Sequence, residues 1–114
     1  MGYYSCASAI TTKKGYERFL ELIPDDSRWF FEDYPAFSRI EYNDTVMFSW
    51  NDVKWYEGCP EVEAVMDALE TIASEGHPYQ YLRFGENFED VDEREHNPNE
   101  LNRHIAIARV IYSY

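Results

Sequence analysis

Apolar positions recur along this chain in two different periods, and the changes of period mark its elements. Tyr3 to Thr12 is rich in Tyr, Ser, Ala, Ile and Thr, which predicts a first strand. Thr12 then stands where a helix N-cap belongs. Tyr16, Phe19, Leu20 and Ile23 follow at helical spacing, so the helix is expected to run to about Ile23. Gly15 in its first turn is expected to weaken it, by up to about 1 kcal/mol. Pro24 and the cluster Asp25-Asp26-Ser27 end this helix and offer caps for a short helical turn over 28–31, which Tyr34-Pro35 breaks. From Phe37 the period becomes two. Residues 38–42 alternate, Asn43-Asp44 makes a turn, and 45–50 alternate again, the signature of a β-hairpin. Residues 51–56 either continue that strand through a bulge or leave it as a loop.

The clearest element is a helix over Pro60–Ser74. Proline suits the first helical position, and Glu61 and Glu63 favour the positive end of the helix dipole. Val62, Val65, Met66, Leu69, Ile72 and Ala73 make one apolar stripe, and Gly76 sits where a C′ glycine belongs, with Pro78 beyond it. The opposite face carries Glu63, Asp67, Glu70 and Ser74 with no base to offset them. Tyr79–Phe84 reads as a strand and Gly85 turns the chain. The segment 86–95 then holds six acids to one base. His104 to Tyr112 predicts a closing strand, alternating too poorly for one face to be solvated. The expected architecture is an α+β single domain over residues 1–114. Two main helices pack on one face of an antiparallel sheet, in ferredoxin-like order (βαββαβ plus an extra C-terminal strand).

Composition narrows the function. Of 114 residues, 45% are hydrophobic and 28% charged, a globular balance, and 18% are aromatic, which lets a short chain build a sizeable core. The net charge of −12 argues against direct nucleic-acid binding, which rests on Lys and Arg neutralising phosphates, and against an anionic membrane surface. No apolar run is long enough to cross a bilayer, and residues 1–6 show neither a secretory signal nor a complete myristoylation pattern. Cys6 and Cys59 read as free thiols in a reducing compartment. A cytoplasmic location is the expectation.

The charge is unevenly spread. Residues 57–100 hold thirteen of the twenty-two acids and two of the ten bases, so −11 of the −12 resides there. One reading is a solvated acidic face. The other is a surface imitating the phosphate backbone, whose carboxylates occupy the Lys and Arg of a nucleic-acid groove through charge-assisted hydrogen bonds. On that reading the partner-binding residues are Glu63, Asp67 and Glu70 on the helix and Glu86, Glu89, Asp90, Asp92, Glu93 and Glu95 in the acidic segment. Tyr56, Tyr79, Tyr81 and Phe88 border them as aromatic candidates, each also suited to packing. Arg83, one of two bases in this half, is expected to pair with a neighbouring carboxylate.

Catalytic and metal chemistry find little footing. With so many acids, chance carboxylate pairs are expected and no separation is fixed. His77, His96 and His104 with Glu93 or Glu95 are metal ligands by type, but a turn at 97–99 separates the last two histidines. Asp90-Val91-Asp92-Glu93 lacks the spacing and glycine of a calcium loop. Cys59 before a helix N-terminus is the one position suited to an activated thiol, without a partner in sequence. No cofactor, no metal and no catalytic residue is expected.

Trp50-Asn51-Asp52-Val53-Lys54-Trp55-Tyr56, followed by a helix and then Tyr81-Leu82-Arg83-Phe84-Gly85-Glu86, resembles a pattern in small bacteriophage and prophage proteins. Such proteins include acidic anti-CRISPR and DNA-mimic inhibitors, to which this chain is similar in size and charge. The resemblance covers the middle third and carries over no site residue. It implies a non-enzymatic inhibitor of a host nucleic-acid-binding protein or ribonucleoprotein defence complex. In the motif, Trp50, Trp55 and Tyr56 read as sheet–helix core, and Asp52 and Lys54 as a same-face pair. The competing expectation is a ferredoxin-like module for assembly or small-ligand capture, in which the acidic face is merely solvated.

Overall fold

The computed structural model describes residues 4–56, 58–87 and 89–101. Strand β1 (Ser5–Thr12) leads directly into helix α1 (Lys13–Leu22), and Thr12 Oγ1 accepts from the Gly15 N–H at 3.0 Å, forming the expected cap. A turn of 3-10 helix at Asp25–Ser27 and the short helix α2 (Trp29–Glu32) follow. Here the expected caps do not form. Arg28, at the cap position of α2, is itself helical, so no extended residue precedes the turn, and Asp25 pairs instead with Arg28 Nε at 3.3 Å.

The hairpin comprises β2 (Phe37–Tyr42) and β3 (Thr45–Val53), joined by Asn43-Asp44. Asn43 takes φ +55°, a conformation its side chain tolerates better than most. β3 continues past Trp50 through a bulge. Ala7 pairs with Trp50 but Ser5 with Val53, so β3 carries one extra residue, and Asp52 absorbs it at φ +52°. The bulge breaks the alternation that would have set Asp52 beside Lys54, and Lys54 Nζ lies over the Tyr4 ring at 5.8 Å instead.

Helix α3 spans Pro60–Ser74, as the pattern predicts. Its end is a Schellman motif: Gly76, at φ +95°, donates to Ala73 O at 3.0 Å and His77 donates to Ile72 O at 2.9 Å. Two strands follow, β4 (Tyr79–Phe84) and β5 (Val91–His96), then a turn of 3-10 helix at Pro98–Glu100. The strand expected over His104–Tyr112 lies outside the described residues. β5 has no counterpart in the sequence reading. It carries a single large apolar side chain, Val91, and its strand state comes from pairing with β4 along all six residues.

The sheet order is β2-β3-β1-β4-β5, with every neighbouring pair antiparallel, and the fold is α+β. The helices share one face. There Ala7 and Ala9 of β1, Val46, Phe48 and Trp50 of β3, and Tyr79 and Tyr81 of β4 meet Tyr16 and Phe19 of α1, Phe30 of α2 and the stripe of α3. Ala68, absent from the predicted stripe, is buried there, whereas Met66 and Ala73 are only partly so. Trp50 anchors this core. It stacks on Phe30 at 4.9 Å and 17°, and its indole N–H donates to Phe30 O at 2.9 Å. Tyr56, by contrast, is 43% exposed rather than core. On the far face Ile10, Leu82 and Leu101 form a second buried cluster.

Gly15 does more than weaken α1. A Cβ there would stand 2.4 Å from Thr11 Oγ1, whose hydroxyl is buried and donates to Pro78 O at 2.7 Å. The glycine lets α1 sit close against the end of β1 and the entry to β4.

Candidate functional site

The register of β4 and β5 decides which acids stand together. Along β5, alternate side chains point to opposite faces. Asp92 pairs across with Arg83 and so faces the helices. Glu93 and Glu95 pair across with Leu82 and Gln80 and face the other way. The nine candidate carboxylates therefore divide into three sets.

The first set is the outer row of α3. Its apolar stripe is turned into the core, leaving Glu63, Asp67 and Glu70 exposed on the side away from it. They lie at i, i+4 and i+7, one row with axial steps of roughly 6 and 4.5 Å. No salt bridge among the described residues reaches any of them. Nearby hydroxyls are occupied by the helix itself, Thr71 donating to Asp67 O and Ser74 to Thr71 O.

The second set belongs to the β4–β5 connection and is tied into the fold. Gly85 N–H donates to Asp90 O at 2.8 Å, closing the turn. Asp90 grips Arg83 with both oxygens, at 2.8 and 3.3 Å, and Arg83 also donates to Ser5 Oγ at 3.1 Å. This is the ion pair expected of Arg83, and it raises the guanidinium's already high pKa. Glu86 accepts from the Tyr4 N–H at 2.6 Å, and Asp92 lies 3.7 Å from Arg94. Glu89 is exposed. The third set is Glu93 and Glu95, exposed on the far face of the edge strand.

Between α3 and the β4–β5 edge the structure opens a cleft of about 400 Å³. Trp55, Val62, Met66 and Tyr81 supply its apolar lining and Tyr56 joins them. Arg83, Asp90, Asp92 and Arg94 supply its charged side. Burial pushes the Tyr81 hydroxyl well above the ordinary phenol range, and the Asp92 carboxylate adds to that. Of these residues only Tyr56, Tyr81, Asp90 and Asp92 were candidates from the sequence. The same-face spacings Tyr81/Arg83 and Asp92/Arg94 carry the signal. It becomes readable only once β5 is known to be a strand and its register to β4 is fixed.

The other chemical candidates do not assemble. Cys59 Sγ lies 3.1 Å from Glu61 Oε1, so its partner is a carboxylate, and that contact together with Trp29 Nε1 at 3.3 Å lowers the Glu61 pKa. His96 contacts the Asn97 side chain, and no group of three His, Cys, Asp or Glu among the described residues is placed to hold a metal ion. His104 and Phe88 lie outside the described residues. No helix among them is long and apolar enough to cross a membrane. Comparison with family models, curated proteins and solved structures finds no match to this chain.

Proposed function

We propose that this chain works by binding rather than catalysis, as a phage or mobile-element inhibitor that occupies a basic nucleic-acid groove of a host defence complex. The observation that carries this reading is the outer row of α3. Glu63, Asp67 and Glu70 form three exposed carboxylates in line on a rigid helix, and no salt bridge among the described residues reaches them. A helix holds such a row without the entropy cost of ordering a loop, and Lys or Arg of a groove can meet it by charge-assisted hydrogen bonds. Glu89 and Glu95 extend the negative field, while Glu86, Asp90 and Asp92 have structural partners. The order β4-β1-β3-β2, with β5 added outside β4, supports the ferredoxin-like scaffold we propose for this surface.

The test is capture of partners by the tagged chain from a nuclease-treated bacterial lysate carrying defence systems, eluted in salt steps. The expected partner is a basic nucleic-acid-binding protein released by moderate salt and displaced by nucleic acid. The variant Glu63→Lys/Asp67→Lys/Glu70→Lys should lose it while keeping its melting temperature. A partner indifferent to salt, or one held equally by the triple variant, would overturn the reading.

The cleft supports a second reading, small-ligand capture, because its volume lies in the range of ligand sites and its lining joins aromatic rings to a few charged groups. A ligand bound there would protect the chain against heat, and Met66→Trp would abolish that protection by filling the cleft.

A further inference from the structure

We infer that the chain pairs with a second copy of itself through β2, which is self-complementary in one antiparallel register. β2 ends the sheet on the side opposite β5. Natural sheet edges are commonly blunted by proline, lysine, bulges or inward charges. Within Phe37–Tyr42 there is no proline, no lysine and no break in the register to β3, and the two charges on its helix-facing side, Arg39 and Glu41, pair with each other. Its outer-face side chains Ile40 and Tyr42 are 50% and 55% exposed, unusually open for large apolar groups.

Backbone direction fixes which groups face outward. Ala36 O accepts from Asn51 N–H, so by the alternation of an antiparallel ladder the even-numbered residues of β2 bond to β3. Arg39 and Glu41 then direct their N–H and C=O groups away from the sheet. A two-fold axis through Ile40 would set Arg39 opposite Glu41 of the second copy, and Glu41 opposite its Arg39. Both are hydrogen-bonded pairs, so four backbone bonds form where the free groups point. Ile40 would meet its own copy across the axis as a non-hydrogen-bonded pair, the closer kind, about 4.5 Å between Cα atoms. Within one chain Arg39 Nη2 already lies 3.3 Å from Glu41 Oε2, with both side chains nearly half exposed. The same two groups can therefore be shared across the axis without moving to another face.

Long-range charge agrees. The acid-rich half, residues 57–100, includes α3, β4 and β5 and carries −11, whereas residues 1–56 carry only −3. Four strand spacings of about 4.8 Å separate β2 from β5 by roughly 19 Å, so pairing through β2 keeps the two acidic ends far apart. β5, the other edge, carries three acids to one arginine and would set like charges together. The contact is small beside obligate interfaces, so association should depend on concentration. It would present two acidic surfaces on one particle, which adds avidity toward a repetitive partner.

Sedimentation velocity over a concentration series tests this with charge swaps. Wild type should shift from monomer to dimer as concentration rises. Arg39→Glu sets acid against acid and Glu41→Arg sets base against base, so each alone should weaken self-association at least about tenfold. Mixed in equal amounts, the two singles should form a heterodimer, because each edge now complements the other. The double variant Arg39→Glu/Glu41→Arg should recover the homodimer. Ile40→Lys, a substitution at an exposed position, should abolish association while leaving the melting temperature near wild type. Wild type remaining monomeric, singles that fail to associate when mixed, or a dimer that survives Ile40→Lys would each overturn the inference.

Discussion

Arg83 and Asp90 lock the β4–β5 hairpin through a two-pronged ion pair, Nη2 to Oδ1 at 2.8 Å and Nη1 to Oδ2 at 3.3 Å. Arg83 keeps only 16% of its side chain exposed. Its third contact, Ser5 Oγ, ties the same guanidinium to the start of β1. One charged group thus holds the turn, the edge strand and the wall of the cleft in a fixed relation.

Asp90→Asn leaves that guanidinium without its carboxylate. Two bonds between opposite charges become at best one, from the charged guanidinium to a neutral amide oxygen, and the expected loss is about 2 kcal/mol. Urea denaturation should show it. An unchanged midpoint would mean the pair is screened and structurally idle.

Gly15→Ala should destabilise the protein even though alanine favours a helix interior by about 1 kcal/mol. The new Cβ meets Thr11 Oγ1 at 2.4 Å, and that hydroxyl is held by its bond to Pro78 O. Overpacking of this kind costs about 1–3 kcal/mol. In a Thr11→Ala background the shortest contact is gone and only the milder approaches to Thr12 Oγ1 at 3.2 Å and His77 Cβ at 3.3 Å remain, so the same substitution should cost much less. A double-mutant cycle reads this coupling directly. Additive effects would show that the close approach does not constrain the helix.

Trp50→Phe keeps most of the apolar volume but removes the donor to Phe30 O. A buried carbonyl is left unsatisfied and a void opens beside Trp55, so a loss of about 2–3 kcal/mol is expected. Chemical denaturation of the variant checks it, and a loss below about 1 kcal/mol would mean water or repacking satisfies the carbonyl.

The buried phenols predict an alkaline limb. Burial raises the Tyr81 hydroxyl most, and those of Tyr16 and Tyr79 in the same direction. An unfolded tyrosine releases its proton near pH 10. Above that pH the unfolded chain has lost protons that the folded chain still holds, so stability is whole below about pH 10 and falls as pH rises further. Urea midpoints measured from pH 8 to 11 should trace this decline, and Tyr81→Phe should flatten it. An equally steep limb in that variant would assign the effect to other groups.

Much of this architecture is legible in the sequence because its signals are local. Thr12 caps α1 with its own hydroxyl three residues ahead, and Pro60 and Gly76 bracket α3 through their own backbone torsions. Asn43-Asp44 between two alternating runs defines the hairpin. Each of these depends on residues within one or two turns of chain. The charge asymmetry is likewise a property of the sequence.

Tertiary structure decided what depends on partners distant in sequence. β5 is a strand because β4 lends it a ladder, although its own residues are mostly charged. That ladder then sends Asp92 to one face and Glu93 and Glu95 to the other, dividing an acidic run that reads as continuous in the sequence. Gly15 looks like a defect in a helix until Thr11, held by its bond to Pro78 O, is seen against it. Asp52 and Lys54 look like a pair until the bulge turns them apart. Helical and hairpin propensities are set by neighbouring torsions, which sequence carries directly. Register, close approach and the sharing of charges are set by which surfaces meet, and that is fixed only when the whole sheet closes over its core.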